Sequence, residues 1–195
     1  MSPAHGARTF TSRSHPIRNV DEIEVSTLVY VPPEEVFEFL LNFPGYARYS
    51  EYIDRVSQDG DGSPGTRYDL HFSWWKLSYT ARSEVTAVDP PTSIDWKLVK
   101  DIDAEGHWGV EPDPEDAPDG VESASKVILH IAFDPDSASS DAIDLPRLVS
   151  LDWVIKKVIP LVRREAERIV ERVVADLEGE RRPVDLEITS DGETL

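Results

Sequence analysis

A single apolar stripe near the C-terminal end restricts the fold more than any other feature of the sequence. Between residues 148 and 177 an apolar residue recurs at every third or fourth position, which is the period of one face of an α-helix. The stripe therefore predicts one helix of about eight turns that ends near Gly179. Pro160 lies inside it and cannot donate to the carbonyl of Lys156, so we expect a kink or a break there. The stripe consists of Leu148, Leu151, Ile155, Val158, Val162, Ala166, Ile169, Val173 and Leu177.

Upstream of the stripe, apolar residues alternate with polar ones, which is the period-two pattern of β-strands. The first set, residues 23–31, ends at Pro32 and Pro33, which stop a strand and open a short helix, and a second short turn is expected at residues 46–50. Because turn-rich segments separate the later sets in order, they predict an antiparallel meander. These sets occupy residues 68–74, 77–85, 94–98, 108–110 and 127–133.

The sequence thus predicts an α+β domain in which the long helix covers the apolar face of an antiparallel sheet, because no other element is long enough to do so. We assign residues 20–182 to this domain and residues 1–19 to a flexible N-terminal tail. We assign residues 183–195 to a C-terminal tail that could contain a short strand at residues 184–188. The first 20 residues have no apolar core of an export signal, so we expect a cytoplasmic protein.

The charge balance excludes one class of partner. Asp and Glu number 38 against 20 Lys and Arg, which gives a formal net charge of −18. A field of this sign repels phosphate backbones, so we expect no nucleic-acid partner. Self-repulsion of this size is typical of proteins from salt-loving organisms, in which salt screens the charges, and we favour that interpretation over an ordinary acidic protein. The chain has no cysteine, which excludes disulfides, thiolate zinc sites and cysteine nucleophiles.

Two segments resemble a known superfamily. The stretch VPPEEVFEFLLNFPGYARYSEYIDRV, residues 31–56, is similar to the opening of START-like (SRPBCC) proteins, which include polyketide cyclase/dehydrase-like and coenzyme-Q-binding proteins. The stretch TARSEVTAVDPPTSIDW, residues 80–96, resembles the paired strands of the same superfamily. The resemblance implies a helix-grip fold: a curved antiparallel β-sheet wrapped around a long C-terminal α-helix, two short helices after strand 1, and a cavity between sheet and helix.

Bulky aromatic side chains share the sheet face that would line such a cavity. For any one ring, simple core packing is the expected role, whereas we expect two or three of the set to contact the cavity. Two small polar residues on the same apolar faces could orient a ligand. The candidate ligand-binding residues are Thr27, Tyr68, Phe72, Trp74, Tyr79, Ser83, Trp96 and Trp108.

The resemblance implies binding or carriage of a hydrophobic small molecule, namely a lipid, an isoprenoid quinone or a polyketide-like compound. One alternative is a polyketide cyclase or dehydratase-type enzyme, and another is a module that acts by protein contact. His71, His107 and His130 lie on strands but out of phase with the apolar face. No metal-binding spacing, phosphate loop or nucleophile elbow occurs, so we assign no catalytic residue, cofactor or metal ligand.

The long helix also carries a basic face. Eight of the 20 basic residues lie between residues 156 and 182, where the local net charge is positive. An exposed helix face with intrahelical ion pairs explains this pattern, and contact with an anionic membrane is the alternative. We expect a monomer or a homodimer. The basic residues are Lys156, Lys157, Arg163, Arg164, Arg168, Arg172, Arg181 and Arg182.

Overall fold

A computed structural model describes residues 20–74, 77–137 and 151–190, and at residues 74, 77, 135 and 151–164 it describes the backbone alone. The predicted N-terminal tail, residues 1–19, lies outside the described residues, as do residues 191–195 of the C-terminal segment. Two α-helices, eight strands and three short 3₁₀ helices make up the described part of the chain. The strands are β1 (Asp21–Val29), β2 (Ile53–Asp59), β3 (Arg67–Trp74), β4 (Leu77–Asp89), β5 (Ser93–Leu98), β6 (Ala104–Pro112), β7 (Ser125–Phe133) and β8 (Glu187–Ser190). The helices are α1 (Pro33–Leu41), α2 (Leu151–Glu178) and the 3₁₀ helices Phe43–Arg48, Pro114–Asp116 and Pro135–Ser137.

The eight strands form one antiparallel sheet in the order β2-β3-β4-β5-β6-β7-β1-β8. Each of β2 to β6 pairs with the next strand along the chain. The first strand then inserts between β7 and β8, so strands from the two ends of the described chain lie side by side. The predicted α+β helix-grip architecture, with an antiparallel sheet and a long C-terminal helix, is confirmed.

The short helix α1 follows directly from the proline pair after β1. Pro32, three residues after the end of β1, has extended backbone angles, and Pro33 opens the helix. Glu34 and Glu35 lie in the first turn, where carboxylates interact favourably with the helix dipole. The buried face of α1 then packs against β6 and β7. Its buried residues are Val36, Phe37 and Leu40.

The long helix α2 lies against the concave face of the sheet. Val174 is fully buried in the same core cluster as Val29 of β1 and Val85 of β4. The helix continues through Pro160, so a break at that residue is wrong, whereas the kink stays a prediction. It ends at Glu178, and Gly179 adopts the left-handed φ of +77° that favours glycine after a helix. The start predicted at Leu148 lies outside the described residues.

Arg182 links the C-terminal end of α2 to the C-terminal end of β1 by hydrogen bonds. Its guanidinium donates to both carboxylate oxygens of Glu178 at 2.7 Å and to the Leu28 carbonyl at 2.7 Å. The same group lies 3.9 Å from the centre of the Tyr30 ring, and Glu178 accepts a hydrogen bond from the Tyr30 amide at 2.8 Å. These contacts fix the helix terminus on the sheet.

Strands β2 and β8 complete the sheet at its two edges. In β2, Ile53 and Val56 are partly buried and the other five residues are exposed, so the period-two alternation of a half-buried strand is missing. Strand β8 forms at residues 187–190 within the segment assigned to a C-terminal tail, where the sequence suggested a strand at residues 184–188.

The described residues form two α-helices, α1 and α2. Neither helix is both long enough and apolar enough to cross a membrane.

Candidate functional site

An apolar cavity of about 290 Å³ lies between the concave face of the sheet and α2. Ligand pockets in proteins are typically about 300–1,000 Å³, so its described part is near the lower end of that range. Aliphatic and aromatic side chains supply most of its wall. The lining residues are Val25, Ser26, Thr27, Val29, Val36, Phe39, Leu40, Tyr46, Tyr49, Ser50, Ile53, Trp108, Val127, Leu129, Ala166, Ile169, Val170, Val173, Val174, Leu177 and Leu186.

The floor of the cavity is formed where β1, β7 and β6 lie side by side. Val25 is directly opposite Leu129, and Leu129 is directly opposite Trp108. Because side chains at paired positions point to the same face of a sheet, these three form one continuous apolar row. Thr27 and Val127 form the start of the next row. Strand alternation in three separate stretches of sequence is thus what makes this surface apolar.

Helix α2 supplies the opposite wall. Ala166, Ile169, Val173 and Leu177 belong to the stripe that predicted the helix, and all four line the cavity. Residues three and four positions apart lie on the same face of a helix, so the stripe faces the sheet along this length. Ala166 is the smallest member of the four, and a small residue in a facing stripe leaves space between helix and sheet.

Aromatic side chains close the end of the cavity near the 3₁₀ helix Phe43–Arg48. The Tyr46 ring is 5.9 Å from Phe39 and 5.1 Å from Phe43, between ring centres. Its hydroxyl donates a 2.7 Å hydrogen bond to the Leu40 carbonyl. Burial, together with the nearby Tyr68 hydroxyl, raises the pKa of Tyr46 far above its usual value. The phenol therefore remains protonated and keeps its bond to the carbonyl.

The other hydroxyls on the wall also donate to protein acceptors. Thr27 donates to the Asp185 carbonyl at 2.9 Å, and Ser26 donates to the Glu187 carboxylate at 3.3 Å. Tyr49 donates to the Asp176 carboxylate at 2.8 Å, and burial followed by this bond raises its pKa. Each of these oxygens can still accept a hydrogen bond, but its own hydrogen is already used. Ser50 differs, because its oxygen accepts a 3.1 Å bond from the Tyr52 amide.

A charged network that the sequence analysis missed lies beside the cavity. Glu165 is 4% exposed and accepts a 3.3 Å bond from the Glu51 amide. Arg172 lies 3.4 Å from Glu165, Arg168 lies 3.9 Å from it, and Arg172 also donates to the Tyr49 carbonyl. Burying a carboxylate is costly unless cations and donors surround it, as here. The spacing of Glu165, Arg168 and Arg172 along one helix face was the signal in the sequence.

Two of the eight candidate ligand-binding residues, Thr27 and Trp108, line this cavity. Tyr68 and Ser83 are directly paired between β3 and β4 and are buried in the adjoining core. The Tyr68 ring stacks on Phe43 with ring centres 4.6 Å apart. Whether these residues bind a ligand stays a prediction.

The remaining candidates lie elsewhere on the sheet. Phe72 and Tyr79 are cross-strand partners on β3 and β4 and stack on each other with ring centres 6.4 Å apart. Trp96 lies on β5, opposite Gly106 of β6. The side chain of Trp74 lies outside the described part of the structure. None of these appears in the described lining of the cavity.

The strand histidines contact polar side chains rather than the cavity. His71 Nδ1 is 3.0 Å from the Thr80 hydroxyl, and His130 Nε2 is 3.4 Å from the Glu22 carboxylate. His107 pairs with Asp95 on the neighbouring strand. Within the described residues, no group of three or more His, Asp or Glu side chains is arranged to hold a metal ion.

Comparison with known proteins adds a family and two related folds. A model of the family described as polyketide cyclase / dehydrase and lipid transport matches residues 21–174. The crystal structure of Ara h 8.0201 is similar, with a TM-score of 0.55 and 17% identity, covering 83% of this chain and all of that chain. The crystal structure of the Zhui aromatase/cyclase from Streptomyces sp. R1128 has a TM-score of 0.56 and 16% identity, covering 82% of this chain and 94% of that one. No curated protein matches the sequence.

Proposed function

Because the chain belongs to the polyketide cyclase/dehydrase and lipid transport family, we propose that it binds and carries a hydrophobic small molecule in the cavity under α2. The observation that carries this proposal is the composition of the cavity wall. Of its described side chains, five carry a hydroxyl group and the others are hydrocarbon or indole. A concave apolar surface with a few polar groups is typical of sites that bind lipids, isoprenoid quinones and polyketide-like molecules.

A cyclase or dehydratase activity is the alternative function, and it requires an acid or base that reaches the ligand. Among the described lining residues the titratable groups are the phenols of Tyr46 and Tyr49. Burial raises the pKa of both, so each phenol stays protonated at neutral pH and donates to a protein acceptor. A proton held in this way is poorly placed for transfer to a ligand, which favours carriage over catalysis.

Three further features of this carrier remain proposals. We propose a cytoplasmic location and a monomeric or homodimeric state. Contact between the basic helix face and an anionic membrane also remains a proposal. Of the described arginines on that face, Arg168 and Arg172 lie within 4.0 Å of Glu165, and Arg182 pairs with Glu178. These pairs favour an exposed face of mixed charge.

Filling the cavity tests the proposal. Ala166→Phe places a ring between α2 and the sheet, at a position that lines the cavity. Ala175→Phe makes the same change on the same helix at a position outside the described lining and serves as the control. Uptake of an isoprenoid quinone and of a fluorescent fatty acid is measured for the wild type and for both variants. We expect the wild type and the control to take up at least one ligand, and the Ala166→Phe variant to lose at least tenfold in affinity.

The proposal fails if folded wild-type protein takes up neither ligand. It also fails if both variants bind as the wild type does, because the ligand would then occupy another site. Circular dichroism of each variant shows whether it is folded, and Ala166→Leu replaces Ala166→Phe if the larger ring prevents folding.

A further inference from the structure

Trp96 lies on the concave face, one cross-strand row from the cavity floor. On β5 it is two residues from Ile94, and residues two apart on a strand point to the same face. Ile94 is completely buried, so this face is the inner one. Across the sheet, Ile94 pairs with Trp108, which lines the cavity, and Trp96 pairs with Gly106. The indole is therefore adjacent to the described cavity wall on the same face of the sheet.

Gly106 provides the space that the indole occupies. A Cβ atom built on Gly106 would lie 2.1 Å from Cζ2 of Trp96 and 2.4 Å from Cε2. Both distances are far below van der Waals contact, so only glycine permits the ring to lie against β6 at this position. The ring position is thus fixed by the backbone of the neighbouring strand.

The indole nitrogen of Trp96 is buried and has no hydrogen-bond partner in the described part of the structure. An indole N–H is a donor and never an acceptor. A buried donor without a partner lowers stability, and folded proteins contain few such groups. An unpaired donor beside a ligand cavity therefore indicates a place where an acceptor atom binds.

Four of the five hydroxyls on the described cavity wall do not compete for this role, and the fifth is that of Ser50, which accepts a bond from the Tyr52 amide. Ser26, Thr27, Tyr46 and Tyr49 already donate their hydrogens to Glu187, Asp185, Leu40 and Asp176, respectively. These oxygens can accept from a ligand but cannot donate to it. A carboxylate ligand would bring a negative charge onto an apolar surface, which is costly without a paired cation. A neutral oxygen, such as a carbonyl, has no such cost.

We infer that the indole N–H of Trp96 selects ligands that carry a neutral hydrogen-bond acceptor, by donating a hydrogen bond to a carbonyl oxygen that displaces the groups now covering this nitrogen beside the cavity wall. This inference rests on the proposed carrier function. It assigns a preference for neutral carbonyl compounds, such as quinones and ketones, over hydrocarbons and fatty acids of similar size. Trp96 is then a specificity-determining residue, whereas the aliphatic wall supplies affinity without selecting among polar groups.

The test compares two probes of nearly equal shape, 2-methyl-1,4-naphthoquinone and 2-methylnaphthalene, by isothermal titration calorimetry. Trp96→Phe removes the N–H and keeps an aromatic ring, and Tyr52→Phe, which removes a polar hydrogen from an aromatic ring outside the described cavity lining, is the control. The measured quantity is the quinone-to-hydrocarbon affinity ratio. We expect Trp96→Phe to lower this ratio about tenfold, equivalent to about 1.4 kcal/mol, and Tyr52→Phe to change it less than about twofold.

The outcomes separate this inference from the proposed function. If neither probe nor any lipid binds the wild type, the carrier function fails. If both probes bind and Trp96→Phe weakens them equally, the carrier function stands and the inference is wrong. If Trp96→Phe does not fold, NMR of wild-type protein labelled with ¹⁵N-tryptophan replaces the titration. Each of the other four tryptophans is changed to phenylalanine in turn, which identifies its indole N–H signal, and the signal that remains belongs to Trp96. We expect its signal to move downfield with the quinone alone, and a signal unmoved at quinone saturation overturns the inference.

Discussion

The Ser125 hydroxyl donates a 2.8 Å hydrogen bond to the carbonyl of Val31, and this contact joins the first residue of β7 to the chain just after β1. Ser125 is completely buried. The β1–β7 ladder ends at the pair Val29 and Ser125, and Pro32 and Pro33, which follow Val31, have no backbone N–H that could extend it. The serine side chain thus supplies a donor where the ladder ends.

Removing that hydroxyl should destabilise the protein. In Ser125→Ala the Val31 carbonyl loses its donor inside the core, and we expect the free energy of unfolding to fall by about 1–3 kcal/mol. Ser57→Ala, on the exposed part of β2, makes the same chemical change and should alter stability by less than about 0.5 kcal/mol. Urea unfolding of both variants measures the difference, and equal stabilities would contradict a structural role for the Ser125 bond.

Replacing Arg182 by lysine should lower the stability of the protein. The guanidinium contacts Glu178, the Leu28 carbonyl and the Tyr30 ring at once, and a single ammonium cannot reproduce this planar arrangement. We expect Arg182→Lys to lower the free energy of unfolding by about 1–3 kcal/mol. Arg181→Lys, at the exposed neighbouring position, is the matched control and should have little effect. Thermal melts that coincide for the two variants would show that the Arg182 contacts contribute nothing.

Gly106 should tolerate no side chain while Trp96 is present. A methyl group at residue 106 collides with the indole, so we expect Gly106→Ala to cost about 1–3 kcal/mol although alanine fits strands better than glycine. In Gly109→Ala, on the same strand, the new Cβ meets atoms no closer than 3.4 Å, and the cost should be smaller. Combining Gly106→Ala with Trp96→Leu should recover part of the loss, and full additivity would contradict the clash.

Stability should rise steeply with salt. With a net charge of −18, repulsion between carboxylates opposes folding at low ionic strength, and molar potassium chloride screens it. We expect the melting temperature to increase continuously from 0.05 to 2 M potassium chloride. The triple variant Glu115→Gln, Asp116→Asn and Asp119→Asn removes three exposed negative charges and should show a shallower rise. A melting temperature that hardly changes over this range would argue against salt adaptation.

Alkaline pH should unfold the protein through its buried phenols. Burial raises the pKa of Tyr46, so in the folded protein it stays protonated above pH 10, whereas in the unfolded chain it ionises near its usual pKa of about 10. The unfolded state then binds fewer protons, and stability is lost as pH rises above about 10. Tyr46→Phe should reduce that loss by about 1.4 kcal/mol per pH unit, measured by urea unfolding from pH 9 to 12. Identical slopes for variant and wild type would contradict this assignment.

The strand and helix periods predicted most of the fold. Period-two alternation predicted strands β3 to β7, and the spacing of three or four residues predicted helix α2. Both patterns arise because each element buries one continuous face. Strand β2 was not predicted. Its only buried positions, Ile53 and Val56, are partly buried, so its sequence shows no alternation of apolar and polar residues. Edge strands are paired on one side, and their register depends on the neighbouring strand more than on their own residues.

The position of the cavity was less predictable than its chemistry. The apolar face and its aromatic residues could be read from the alternation, and Thr27 and Trp108 do lie on the wall. Which part of that face stays open depends on pairings between distant segments, such as Val25 with Leu129, and on the small side chain of Ala166. The contribution of Tyr46 and Tyr49 depends on how the 3₁₀ helix folds over the sheet, and no local period encodes that arrangement.

The insertion of β1 between β7 and β8 has a consequence for biosynthesis. Its first partner follows about a hundred residues later, and the hydrogen bond between Ser26 and Glu187 spans 161 residues. A ribosome releases the chain from its N-terminal end, so β1 emerges long before either neighbour exists and cannot enter the sheet during most of synthesis. Folding dominated by such distant pairings is slow, because the entropy of closing a long loop must be overcome first. Until β7 has left the ribosome, β1 has no partner strand with which to form the sheet.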